Sequence, residues 1–206
     1  MAVVVFLRGV NVGGHRTFRP SVLAKELAAL DVVNIGAAGT FVIGRPIAQA
    51  QLRAELARRL PFDAEIMICR GWEILRLVSR GHFPGQPVRP DIVRFVSVLS
   101  RRPRSAPSPP LSLPASGKWM LKILAREHRF VFGVYRRQMK AIGYLGEIDR
   151  LFGVSATTRN WNTITAVAKV LVNGQTRPTG KQSLGSREVR GWLPNKPMQR
   201  PGFGRR

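Results

Sequence analysis

What most limits the fold of this chain is the order in which its apolar runs change period over residues 3–69. Residues 3–7, Val-Val-Val-Phe-Leu, are a short β-branched run that reads as a buried strand. Pro20 and Ser21 open a helix, since Pro suits a first turn and Ser an N-cap. Leu23, Leu27 and Leu30 then recur at helical spacing. Residues 32–35 and 40–43 are two strands joined through the small turn Gly36-Ala37-Ala38-Gly39. A helix over 47–60 carries Leu52, Leu56 and Leu60 on one stripe, Pro61 stops it, and 65–69 is a fourth strand. The order β-α-β-β-α-β is that of the ferredoxin-like unit. A short helix over 72–78 and a Gly- and Pro-containing linker over 81–90 close this part.

A second block opens with the apolar strand 92–99. Residues 101–114 are rich in Pro and Ser and read as an irregular surface loop. Residues 118–125 and 129–135 alternate and form a hairpin through Arg126-Glu127-His128. A short helix is expected over 146–152. The strongest helix pattern runs over 157–172, with Trp161, Ile164, Ala168 and Leu171 on one stripe and Thr158 as its N-cap.

Beyond Asn173 the apolar period disappears and Lys, Arg, Gly and Pro dominate. Such a segment buries too little to offset the entropy of ordering, so 173–206 reads as a disordered basic tail. Its Trp192 and Phe203 among arginines fit single-strand nucleic-acid contacts; an inert solvated tail is the favoured alternative. Overall the chain reads as α+β, with domains over 1–85 and 90–172.

The charge narrows the partners. Thirty-four Lys+Arg against 11 Asp+Glu give +23, which favours polyanions. Arg far outnumbers Lys and Ala, Gly and Pro are abundant, a pattern that G+C-rich coding also produces. The single cysteine, Cys69, precludes an intrachain disulfide and fits a reducing cytoplasm. It sits in the apolar run Ile66-Met67-Ile68 and reads as a core residue rather than a nucleophile. No signal peptide, membrane span or membrane partner is expected.

Two polar stretches are candidates for chemistry. Arg8-Gly9-Val10-Asn11-Val12-Gly13-Gly14-His15 follows the first strand. Free N–H groups in a glycine loop of this kind can converge on a phosphate. It lacks the Gly-Lys-Ser/Thr of a P-loop and the spacing of a dinucleotide fingerprint. A plain turn with Asn11 bonded to its own backbone is the alternative. The second stretch is Ala156-Thr157-Thr158-Arg159-Asn160-Trp161-Asn162-Thr163. On a helix starting near Arg159, the side chains of Arg159, Asn162 and Thr163 share the polar face, at an N-terminus that favours anions. Thr158, Asn160 and Trp161 read as structural; Arg159 and Asn162 stay open between ligand and packing. His15, His82 and His128 are far apart, and no spacing pairs them with Cys or acids as metal ligands. No metal or cofactor is expected, and no catalytic residue is named.

Both stretches resemble an uncharacterised bacterial family, domain of unknown function 1697. Its members carry Leu-Arg-Gly-Ile-Asn-Val-Gly-Gly after a first strand and Ala-Thr-Thr-Arg-Asn-Trp-Asn-Thr before a late helix. Residues 7–14 match with Val10 for Ile, 156–163 match throughout, and the resemblance spans 2–171. It implies two α+β domains, the first ferredoxin-like, and no activity. The chain departs at Ala38-Gly39-Thr40-Phe41, where the family usually has Ser-Gly-Asn-Val.

The leading functional expectation is a binding module for phosphate-bearing ligands, nucleic acid or nucleotide, at an interdomain cleft. Arg8, Asn11, Gly13, Gly14, His15, Arg159 and Asn162 are the expected ligand-binding residues. The rivals are an enzyme acting on a small anionic substrate in that cleft, and a structural or protein-interaction domain. Burial of Arg8 and Arg159 in internal salt bridges would favour the last. The sequence leaves open whether the chain is an enzyme and what its oligomeric state is.

Overall fold

Two antiparallel sheets share a layer of helices between them. The computed structural model describes residues 1–10, 18–83, 85–86 and 89–175. The first sheet holds β1 (Val3–Arg8), β2 (Val32–Asn34), β3 (Thr40–Ile43) and β4 (Glu65–Arg70), in the order β2-β3-β1-β4 with every neighbour antiparallel. Val5 is opposite Phe41 on one side and Ile68 on the other, which puts β1 at the centre. A central strand buried on both faces needs a continuous apolar run rather than alternation, and β1 has one.

Helices α1 (Pro20–Glu26) and α2 (Gln49–Arg59) cover the outer face of this sheet. Leu23, Leu52 and Leu56 pack there on Val3, Val5, Leu7, Phe41 and Ile43. The first helix has no side-chain cap, and Ser21 lies inside it rather than at its start. The other face, with Val4, Phe6, Val42, Met67 and Cys69, meets α3 (Gly71–Ser79) and α6 (Trp161–Gln175).

The second sheet has the order β6-β7-β8-β5-β9: β5 is Ile92–Leu99, β6 Leu111–Leu113, β7 Leu121–Glu127, β8 Phe130–Arg136 and β9 Ala156–Asn160. Val96, Val98, Phe130 and Phe132 join the same shared core as Val4, Phe6, Ile74, Leu77, Ile164 and Leu171. Its other face packs Phe95, Leu99, Leu121 and Ile123 on Ile148 and Phe152 of α5 (Ile148–Phe152), with Tyr144 and Leu145 of α4 (Met139–Gly146) beside them.

Several expectations are corrected here. Residues 157–160 are a strand, not the first turn of a helix. The β-branched pair Thr157 and Thr158 extends the open edge of β5, with Val98 opposite Thr157 and Ser97 Oγ 2.6 Å from Thr158 Oγ1. The N-cap is therefore Asn160, not Thr158: its Oδ1 accepts from the Thr163 N–H at 2.8 Å and the Thr163 hydroxyl at 2.9 Å. The loop expected over 101–114 contains β6, and α4 was not foreseen. Residues 173–175 belong to α6, whereas the tail expected to be disordered otherwise lies outside the described residues.

Polar side chains stitch the sheets together. Arg129 donates to the Ile68 carbonyl and, at 2.8 Å, to Cys69 Sγ. Cys69 is fully buried, and burial pushes its thiol up to about 12, which keeps it protonated and inert. Glu127 at the end of β7 takes Arg76 at 3.1 Å and Arg80 at 2.7 Å from the α3 side. His82 stacks on Phe132 with centroids 3.8 Å apart and lies 3.5 Å from Glu127.

Burial holds His82 below the ordinary imidazole value of 6.5, with Glu127 opposing and Arg80 reinforcing the shift. A histidine that protonates more readily in the unfolded chain contributes stability above 6.5 and loses it as pH falls through that value toward the folded one. The denaturation midpoint is thus expected to drop between pH 7.5 and 5, and His82→Gln to flatten that slope. An unchanged slope in the variant would show that His82 does not couple folding to pH.

Candidate functional site

The carbonyl of Leu7, one residue before the glycine loop, is where the two sequence motifs meet. It accepts from Arg159 Nη2 at 2.7 Å and from Thr157 Oγ1 at 3.2 Å. Strand β9 thus delivers Arg159 across the junction onto the end of β1. A guanidinium has five N–H groups in a fixed fork, and here each finds an acceptor. Nε donates to Thr40 Oγ1 at 2.8 Å, Nη1 to Thr157 Oγ1 at 2.8 Å and Thr158 O at 2.9 Å. The second Nη2 bond goes to Ala38 O at 2.6 Å. Arg159 is 6% exposed and its charge lies 5.8 Å from the Phe6 ring. Burial pushes its pKa down to about 10, so it stays charged at neutral pH, held by carbonyl dipoles rather than by a carboxylate.

Thr40 stands where the resembled family usually has Asn. Its hydroxyl serves Arg159, a role an Asn carbonyl oxygen can also fill, so position 40 has a use that needs no ligand.

Arg8 points the other way along the same junction. It binds Glu65 at 2.7 Å and also Asp149, whose other oxygen accepts the Ala156 N–H at 3.0 Å. Glu65 and Asp149 also line an open groove of about 490 Å³ with Arg101 and Arg150. With two carboxylates in its wall and Arg8 already paired to both, this groove is a poor anion seat. Asn11, Gly13, Gly14 and His15 lie outside the described residues.

Asn162 belongs to a different place. It is exposed at the start of α6 and lines a cleft of about 470 Å³ with Asn160, Trp161, Ile92, Val93 and three arginines, Arg89, Arg94 and Arg137. Ladder register assembles the cleft: Ile92 is opposite Arg136, which brings Arg137 beside the start of β5. The N–H of Arg137 donates to Asp91 O at 2.8 Å and fixes that corner.

The arginines differ in how far they are neutralised. Arg89 grips Asp91 through Nε at 2.9 Å and Nη2 at 3.3 Å. Arg94 donates to the Gln86 carbonyl and sits 5.5 Å from the Phe83 ring, while its buried Nε has no partner among the described residues. Among those residues neither Arg94 nor Arg137 has a carboxylate partner. Asn160 Oδ1 caps the first turn of α6 through the Thr163 N–H and hydroxyl, and the positive end of that helix borders the cleft. Among the described residues its lining has no carboxylate, histidine, cysteine or hydroxyl, hence no general base or nucleophile from these.

Of the expected residues, the structure brings Arg8 and Arg159 to one junction and sets Asn162 in another cleft. Arg89, Arg94 and Arg137 were missed. The visible clue was Arg94, a lone cation within the apolar run of β5; the other two become neighbours only through strand pairing.

Among solved structures, the fold is similar to that of conserved bacterial protein SP0830 from Streptococcus pneumoniae. The TM-score is 0.51 at 15% identity, over 82% of this chain and 98% of that one. At this identity the likeness concerns the fold alone. Scans against protein-family models and against curated proteins find no match.

Proposed function

We propose that the protein is a binding module for phosphate-bearing ligands, nucleotide or nucleic acid, and that the ligand seats in the cleft of Arg89, Arg94, Arg137 and Asn162. One observation carries this reading. Two arginines without carboxylate partners among the described residues share a concave site with the start of a 15-residue helix. Cations and helix N-terminal donors favour the same charge. Trp161, packed on Phe83 with ring centroids 5.0 Å apart, supplies an apolar part of the wall beside them. The seat is thus the entry to the second sheet, not the junction beside Arg8. The described part of the lining carries no acid–base group, which favours binding over turnover of a small anion.

The internal bonds of Arg8 and Arg159 support a structural role for those two, whatever the cleft holds. The antiparallel order β2-β3-β1-β4 supports reading the first sheet with α1 and α2 as ferredoxin-like. Membership of the uncharacterised family rests on the two motifs, and a cytoplasmic location on the single buried thiol.

Titration calorimetry with ADP and with pyrophosphate tests the cleft. Arg137→Glu replaces an exposed cation without a carboxylate partner, so it should weaken either ligand about tenfold or more, as one charge-assisted bond is worth about 1.5–3 kcal/mol, while the melting temperature holds. If neither ligand binds the intact protein, the reading fails.

A further inference from the structure

We infer that the cleft is one end of a longer track for single-stranded nucleic acid, which continues over the second sheet along Arg94, Arg136, Trp119 and Lys122. The inference rests on the cleft reading and extends it from a nucleotide to a strand. Register carries it. Val134 in β8 is opposite Arg94 in β5 on one side and Lys122 in β7 on the other, so all three side chains share one sheet face. Arg136, two residues along β8, shares it too. Neighbouring strands are about 4.8 Å apart, which sets Arg94 and Lys122 about 10 Å apart across the face. The apolar half of this face, Val96, Val98 and Phe132, is buried under α3 and α6. In the other half, Arg94, Arg136 and Lys122 surround the fully buried Val134 and are themselves half-buried.

An aromatic sits in the middle of these charges. Arg136 lies 4.4 Å and Lys122 Nζ 4.9 Å from the centre of the Trp119 ring. Arg136 Nε donates to the Trp119 carbonyl at 3.0 Å, which pins the indole beside the sheet. Asp91, 3.9 Å from Arg136, is the acid on this route, and Arg89 already occupies it. Lys122 makes no ion pair among the described residues. Cations at strand spacing, with Trp119 under two of them and Trp161 at the cleft end, match the cation-and-aromatic pattern of a single-strand site, in which cations meet phosphates without sequence reading beside indole rings.

Fluorescence anisotropy of a labelled dT12 oligonucleotide, with the full chain, tests this beside titration of ADP. Lys122→Glu, half-buried beside Trp119 and outside the cleft, should weaken the oligonucleotide about tenfold and leave ADP unchanged. The slope of log affinity against log salt should flatten by about 0.7 for each phosphate that no longer meets a cation. Unchanged dT12 affinity in Lys122→Glu would overturn the track, as would inorganic polyphosphate of equal charge competing as well as the oligonucleotide. The cleft reading fails separately: ADP binding would be absent, or indifferent to Arg137→Glu, while the Lys122 effect on dT12 could still stand.

Discussion

Arg159→Ala is expected to lower the melting temperature by about 10 °C, the largest effect of any single truncation at the junction. The substitution strips donors from Ala38 O, Thr158 O and the fully buried Thr40 hydroxyl. Leu7 O keeps the Thr157 hydroxyl as a donor, so it is not orphaned. Each unmet buried group costs about 1–3 kcal/mol. The buried Thr40 hydroxyl, the two part-buried carbonyls and the space left by the side chain together come to about 3–5 kcal/mol, and at this chain length 1 kcal/mol is about 2–4 °C. Arg159→Lys should recover little. One ammonium cannot span from Thr40 on β3 to Leu7 on β1 and Thr158 on β9, where the planar fork does. A thermal melt followed by circular dichroism reads all of this. An unshifted melt for the alanine variant would mean that the guanidinium is dispensable to the junction and open to a ligand role. A cycle with Thr40→Val adds a check: the two losses should be less than additive, because they share one hydrogen bond.

This geometry also explains why the residue was ambiguous in the sequence. The Arg159 acceptors are mostly backbone carbonyls of residues 7, 38 and 158, and no side-chain pattern encodes a carbonyl. The apolar runs were easier. Residues 3–7 had to be buried on both faces, and the leucines of α2 had to share a stripe, so the first sheet and its helices were legible from period alone. Residues 156–160 were not. Two threonines and an Asn before an amphipathic run suit a helix start as well as a strand, and what decides is the unpaired edge of β5 beside Ser97 and Val98. Local preference and tertiary pairing competed there, and pairing won. The cleft was hidden for a related reason. Arg89, Arg94 and Arg137 span nearly fifty positions and converge because β5 and β8 pair. Only Arg94, a cation in an apolar strand, broke its local pattern.

The second large effect concerns a residue without a side chain. Gly133 lies in the middle of β8, opposite Phe95 in β5 and Ile123 in β7. A Cβ there would stand 2.3 Å from Lys122 O and 2.5 Å from two atoms of the Phe95 ring. Phe95 is fully buried and lies 6.0 Å from the Tyr135 ring, so it has nowhere to go. Lys122 O belongs to the neighbouring strand, next to the point where the β7–β8 register shifts between Ile123 and Ala125. Overpacking of a dense core costs about 1–3 kcal/mol when side chains can yield. Here one obstacle is backbone, so Gly133→Ala should sit at or beyond the top of that range, and Gly133→Val should fail to give a cooperative melt. Phe95→Leu in the alanine background should restore part of the loss, because it relieves the ring contact and leaves the carbonyl contact. Gly143 in α4 supplies the opposite sign. Nothing lies within 4 Å of its would-be Cβ, and alanine in a helix interior is favoured over glycine by about 0.5–1 kcal/mol. The same substitution ten residues apart should therefore lower the melting temperature at Gly133 and raise it at Gly143. Equal shifts at the two sites would contradict the packing of Phe95 across β8.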